Sequence, residues 1–62
     1  MKITIKTFKA YEDKNHQVFI IAEPAMAKIF TVKIGLEDGT NINKARRIAS
    51  FLEKNIKDVS LE

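Results

Sequence analysis

The sequence contains no cysteine, no tryptophan, one histidine, one proline and two glycines. Without cysteine, neither a disulfide nor a thiolate metal site can form. Two isolated glycines, Gly35 and Gly39, are too few for a glycine-rich phosphate loop. The chain also lacks an apolar run near the roughly 20 residues of a membrane span, and its first residues lack the apolar stretch of a signal peptide. These absences together favour a cytoplasmic protein that is not bound to a membrane.

Few residues could support catalysis. His16 lies in a charged segment beside Glu12 and Asp13, and we expect it to be a solvent-exposed loop residue rather than a zinc ligand. Ser50 and Ser60 have no histidine near them in the sequence that could act as their base. We therefore expect a protein that is not an enzyme and that needs neither a metal nor a cofactor.

The composition is that of a folded protein, with 45% hydrophobic and 31% charged residues among 62. This length predicts a single domain over residues 1–62. Such a short chain buries only about 60% of its unfolded surface, so self-association is one way for it to gain stability. The net charge of +3 describes either an ordinary solvated surface or one that helps to attract an anionic partner.

Alternating apolar residues predict three strands. The first covers residues 2–11, and its phase changes near Thr7, so either a bulge re-aims the chain or Phe8 is exposed. A polar loop at 12–15 leads to the apolar run 17–22, which we expect Pro24 to end. The third strand spans residues 28–37.

Residues after the Asp38–Gly39 turn follow helical spacing. Thr40 or Asn41 can cap the helix, and Asn55 is a candidate for a left-handed residue at its end. The apolar stripe of this helix consists of Ile42, Ala45, Ile48, Ala49, Leu52 and Ile56.

These elements predict an α+β fold, in which a three-stranded antiparallel β-meander packs on one C-terminal α-helix (β-β-β-α). Residues 59–61 are a candidate for a short fourth edge strand. The short loops exclude parallel crossovers, so neighbouring strands run antiparallel. We expect the helix to cover the sheet face formed by Ile3, Ile5, Val32 and Ile34.

The first candidate partner-binding surface lies on the helix. A helical wheel places Phe51 on the charged side of the helix, near Lys44, Arg47 and Lys54. An aromatic side chain among basic ones is a suitable anchor for a partner. The alternative is that the tail at 59–61 folds back over Phe51 and completes the core.

The second candidate surface is the sheet face that the helix leaves open, either as a partner site or as a homodimer interface. The run 17–22 has apolar side chains on both faces, so Phe19 and Ile21, or else Val18 and Ile20, must lie on the open face. A hydrophobic strip framed by lysines suggests burial by a partner or a twin subunit; the alternative is an ordinary solvated sheet face. The predicted contact residues here are Phe19, Ile21, Ile29, Lys33 and Lys6.

The absent chemistry and these surfaces predict a small non-catalytic protein-binding module of the regulator or inhibitor type. In size and element order the chain resembles the compact proteins of phages and mobile elements that block host or defence enzymes. The alternative is nucleic-acid binding through the basic sheet face or the Lys/Arg face of the helix. A three-stranded sheet backed by one helix resembles the arm-binding domains of tyrosine integrases and plant AP2 domains, which read DNA with the sheet. In this chain the two arginines, Arg46 and Arg47, lie on the helix instead.

Overall fold

The computed structural model describes residues 2–24 and 32–60. Its elements are β1 (Lys2–Glu12), β2 (Val18–Pro24), β3 (Val32–Gly35), α1 (Ile42–Asn55) and β4 (Asp58–Ser60). The strands form one antiparallel sheet in the order β3-β2-β1-β4. The predicted α+β fold and the fourth edge strand are confirmed. Residues 28–31 of the predicted third strand and Leu61 of the predicted tail strand lie outside the described residues.

A β-bulge in β1 explains the change of phase in its sequence. Ile5 lies opposite Pro24 and Thr7 lies opposite Glu23, so Lys6 is an extra residue between two successive pairs. The extra residue moves the following side chains to the other face of the sheet. Phe8 consequently turns towards the helix and is only 7% exposed. Of the two alternatives that the sequence allowed, the bulge is therefore correct.

β2 ends at Pro24, as predicted, but the strand includes Glu23 and Pro24 beyond the predicted apolar run 17–22. The partner of Pro24 is Ile5, which donates its amide hydrogen to the carbonyl of Lys57, 3.0 Å away on the opposite side of β1. The Ile5–Pro24 pair is thus a non-hydrogen-bonded pair of the antiparallel ladder. Proline has no N–H group, but β1 requires no donor at this position, so Pro24 loses no hydrogen bond to β1.

Only one face of β2 packs against the helix. Ile20 and Ala22 are fully buried on this inner face, whereas Phe19 and Ile21 lie half-buried on the outer face. The buried core cluster consists of Ile3, Ile5, Phe8, Ile20, Ala22 and Ala49, with Ala10, Val32, Ile34, Leu36, Ile48, Leu52 and Val59 packed around it. The predicted packing of the helix on the face that carries Ile3 and Val32 is confirmed.

Side chains of the preceding loop start the helix. The Asn41 side-chain oxygen accepts a hydrogen bond from the Lys44 amide at 2.8 Å, which satisfies one of the free donors of the first turn. The Thr40 hydroxyl donates to the Glu37 carbonyl at 2.7 Å and closes the turn before the cap. Of the two predicted capping residues, Asn41 is therefore the one that caps α1.

The helix ends differently from the prediction. Asn55 is not left-handed: it completes the helix, and its side-chain amide donates to the Phe51 carbonyl at 2.7 Å. Ile56 follows in an extended conformation, with φ −107°. This direction brings the Lys57 carbonyl to the amide of Ile5, so pairing with β1 decides how the helix ends. Ile56, predicted to belong to the apolar stripe, is exposed.

The hairpin loop between β1 and β2 lies one to two residues later than predicted. The Asp13 carboxylate accepts hydrogen bonds from the amides of Asn15 at 2.8 Å and Gln17 at 2.9 Å. His16 has φ 62°, the left-handed conformation that a three-residue hairpin loop requires at its last position. His16 is solvent-exposed, as predicted, and its Nδ1 lies 3.6 Å from a carboxylate oxygen of Glu12.

Candidate protein-binding surfaces

The helix surface consists of Phe51 and the basic side chains of Lys44, Arg47 and Lys54. These cations lie seven and four residues before Phe51 and three residues after it, so they share its side of the helix. Phe51 is 65% exposed, the largest value among the described apolar side chains. The described part of the tail, up to Ser60, does not cover it, because β4 pairs with β1 at the sheet edge and turns Val59 into the core.

The charge of the helix surface is not neutralised within the described part of the chain. Two ion pairs occur among residues 2–24 and 32–60, and both lie in β1, β2 and their loop, away from α1. The first turn of α1 contains no acidic residue, and its last turn carries Lys54. Glu53 points to the other side of the helix, where a carboxylate oxygen accepts a hydrogen bond from the Phe8 amide at 3.3 Å. The helix surface therefore combines an exposed aromatic ring with unpaired positive charge.

The outer sheet face is organised around Phe19. The ring of Tyr11, directly opposite on β1, stacks on it with centroids 6.0 Å apart and planes at 24°. The Lys33 ammonium of β3 lies 4.3 Å from the Phe19 centroid, a cation–π contact. These neighbours shelter Phe19, which is half-buried, whereas Tyr11 is 42% exposed. The apolar strip predicted for this face exists, and the chain's own side chains cover part of it.

A polar cluster continues the outer face beside Ile21. Glu23 accepts a hydrogen bond from the Thr7 hydroxyl at 3.1 Å and lies 3.6 Å from the Lys9 ammonium. Lys9 and Lys33 lie opposite Ile21 on its two neighbouring strands, so lysines frame this half-buried residue on both sides. The outer face is therefore a mixed aliphatic, aromatic and basic surface.

We compared the chain with protein-family models, curated proteins and solved structures. None of them matches it. The described residues include no group of three or more His, Asp or Glu side chains that could hold a metal ion. Nor is their one helix long and apolar enough to cross a membrane.

The structure brings only some of the predicted site residues together. Phe51, Lys44, Arg47 and Lys54 share one side of α1, as the wheel predicts. On the sheet, Phe19, Ile21 and Lys33 are neighbours, but Lys6 sits at the bulge near the far end of β2. Thr7 lies opposite Glu23, four residues from Phe19, so about 13 Å separates Lys6 from the aromatic pair. Ile29 falls outside the described residues.

Sequence reasoning missed Tyr11 as a site residue. The signal was present, because a bulge that turns Phe8 inward also turns Lys9 and Tyr11 outward. The position of Tyr11 opposite Phe19 depends on the hairpin register, which the loop conformation at His16 fixes.

Proposed function

We propose that this chain is a non-catalytic protein-binding module of the regulator or inhibitor type, which docks through the helix surface. Phe51 inserts into an apolar pocket of the partner, and acidic groups around that pocket pair with Lys44, Arg47 and Lys54. The observation that supports this proposal is the 65% exposure of Phe51 in a chain that places its other phenylalanines among the described residues, Phe8 and Phe19, in the core or under neighbours.

The energetics favour an anchor role for Phe51. Complete burial of a phenylalanine side chain stabilises a protein by about 1.5–3 kcal/mol, and most of that gain is still available here. Aromatic residues surrounded by polar groups often dominate binding energies when a partner pocket encloses them. The three cations would orient the complex and raise the rate of association with an acidic partner, but they would contribute little to the affinity.

The partner is expected to be a folded protein with a concave site. A single exposed ring can enter a pocket while the long basic side chains around it contact the rim. A chain of this size can block such a pocket by occupying it. As a non-catalytic module, the chain would inhibit or regulate its partner by occupying the site alone.

The test is affinity capture with purified chain as bait, followed by binding measurements with the purified captured protein. We expect Phe51→Ala to abolish capture while leaving the fold intact, since substitution of an exposed residue usually changes stability by less than about 0.5 kcal/mol. Reversal of charge at Arg47 and Lys54 should slow association and reduce its salt dependence.

Tyr11→Ala is the matched control, because it removes an exposed ring that stacks on Phe19 on the outer sheet face rather than one of the helix surface. Capture of the same proteins by the wild type and by Phe51→Ala would refute the proposal. Loss of capture with Tyr11→Ala alone would move the site to the outer sheet face. Light scattering over a concentration series, repeated with Phe19→Asp, tests whether that face joins two copies of the chain.

A second candidate function is nucleic-acid binding, which the lysines of the outer sheet face favour. Lys9 and Lys33 flank the aromatic pair, and Lys2 is exposed near the other end of β1. The Phe19 ring already contacts Tyr11 and Lys33, so phosphate contacts are better supported than base stacking. Duplex and single-stranded oligonucleotides titrated at increasing salt test this: steeply salt-dependent binding supports it, and no binding at low salt removes it.

A further inference from the structure

The strand β1 has a free edge over more than half of its length. β4 pairs with it only from Lys2 to Thr4, and the last described backbone–backbone hydrogen bond on that side runs from the Ile5 amide to the Lys57 carbonyl. β1 nevertheless continues to Glu12. Among the described residues, no strand pairs with the β4 side of residues 6–12. We call this stretch the free edge.

The hydrogen bonds already present show which backbone groups point to the free edge. The Asp13 amide donates to Gln17 across the hairpin, whereas the Phe8 amide points the other way, to Glu53. Alternate residues of an antiparallel strand direct both backbone groups to the same side. Phe8, Ala10 and Glu12 therefore present their N–H and C=O groups at the free edge, which provides up to six hydrogen bonds for an added strand.

Glu53 occupies one of these positions. Its carboxylate oxygen accepts from the Phe8 amide at 3.3 Å, where the carbonyl of a neighbouring strand would otherwise accept. The contact is longer than the usual range of about 2.7–3.2 Å for an N–H···O hydrogen bond, and Glu53 is an exposed residue. A backbone carbonyl could replace it at little cost.

A groove runs beside the free edge, between β1 and α1. Its lining includes Phe8, Lys9, Ala10, Arg46, Ala49 and Ser50. Ala10 and Ala49 are the small apolar residues of this lining, and a strand next to β1 would place small apolar side chains beside them. On the outer face, its alternate side chains would lie beside Lys9. A strand that alternates small apolar and acidic residues fits both sides.

We propose that the free edge binds an extended segment of another protein as an added antiparallel strand, with small apolar side chains in the groove and acidic side chains towards Lys9. This is strand addition, in which main-chain hydrogen bonds supply affinity and alternate side chains supply specificity. The surface is separate from Phe51, which lies on the other side of the helix.

A second copy of the chain fits the free edge less well. Antiparallel pairing of two β1 strands about Lys9 would place two ammonium groups directly opposite each other, which destabilises a sheet. Pairing about Ala10 would place Glu12 of one copy opposite Phe8 of the other, beside the Glu53 carboxylate. A foreign strand that carries its acidic residues only on the Lys9 side avoids both repulsions.

The probe is a blocked heptapeptide of alternating glutamate and valine, titrated into the ¹⁵N-labelled chain and followed by amide chemical shifts. We expect the largest shifts at Phe8, Ala10 and Glu12. Glu53→Ala should bind the peptide about fivefold more tightly, because the Phe8 amide no longer has a competing acceptor. Ala10→Pro, which removes a donor that points away from β2, should bind at least about fivefold more weakly.

Two controls keep the test decisive. The same peptide with methyl groups on alternate backbone nitrogens preserves its charge but cannot complete the ladder, so it should not bind; this arm holds even when Ala10→Pro fails to fold. Phe51→Ala should bind the peptide like the wild type, which separates this proposal from the docking of the helix surface. Equal binding of the methylated peptide, weaker binding by Glu53→Ala, or no amide shifts at millimolar peptide would overturn the proposal.

Discussion

Truncation of Ile20 and of Ile21, one at a time, measures the difference between the two faces of β2. Ile20 is 0% exposed beneath α1, whereas Ile21 is half-buried on the outer face between Lys9 and Lys33. Ile20→Ala loses the transfer energy of the side chain and leaves a cavity, which costs about 2–5 kcal/mol. Ile21→Ala leaves a space that is open to solvent rather than a cavity, so it loses only part of the transfer free energy of the side chain, about 1 kcal/mol.

These magnitudes decide whether each variant folds. A chain of this length has a total stability of about 3–9 kcal/mol, so Ile20→Ala should remove much or all of it. Both changes remove the same atoms from neighbouring positions of one central strand, so the difference between them reports the packing and burial of each face. Urea denaturation monitored by circular dichroism gives both free energies of unfolding, and thermal midpoints should differ by more than about 5 °C. Equal losses, or a larger loss for Ile21, would refute the assignment of the inner face.

Three further predictions concern local conformation, each measured as a change in the free energy of unfolding. Asn41→Ala removes the helix cap and should cost about 1 kcal/mol; a negligible loss would contradict the role of its 2.8 Å hydrogen bond. His16→Gly relieves a left-handed residue and should stabilise the hairpin by up to about 1 kcal/mol, a gain that a right-handed position would not give. Gly39→Ala, at φ 85°, should cost about 1 kcal/mol from backbone strain alone, since its added methyl would meet no atom within 4 Å; Gly35→Ala, equally open and without positive φ, is its control.

The periodicity of the sequence was sufficient to predict the architecture. Strand alternation and a helical apolar stripe are properties of the chain alone, and they gave the order of elements, the covered sheet face and the fourth strand. The bulge was also visible, as a change of phase between Ile5 and Phe8. The sequence could not decide between a bulge and an exposed Phe8, because that decision depends on the register of β1 with β2.

The details of element ends that sequence reasoning did not predict are those that tertiary pairing decides. Pro24 remains in its strand because it occupies a non-hydrogen-bonded position towards β1. Asn55 does not adopt the left-handed conformation because the chain after α1 must extend to bring Lys57 to Ile5. Neither fact follows from local propensity, since each depends on a partner far away in the sequence.

The two candidate sites also differ in whether the sequence alone could predict them. The helical wheel alone places Phe51 among basic residues, because every member of the helix surface belongs to one regular element. The free edge of β1 cannot be predicted in this way, because it exists only through the mismatch between an 11-residue strand and its 3-residue neighbour β4. A surface created by unequal strand lengths becomes visible only when the register is known.

The outward position of Phe51 follows from how α1 lies on the sheet. The buried residues of α1 are Ala45 and Ala49, and Ile48 and Leu52 pack against the core on the same side of the helix. Turning Phe51 into the core would require a rotation of about 120° and would expose Ala49 together with Leu52. Burial of the apolar stripe of α1 therefore keeps the Phe51 ring exposed to solvent. The fold therefore accounts for the exposed position of Phe51 but does not require an aromatic residue there, and under the proposed function this ring is the anchor.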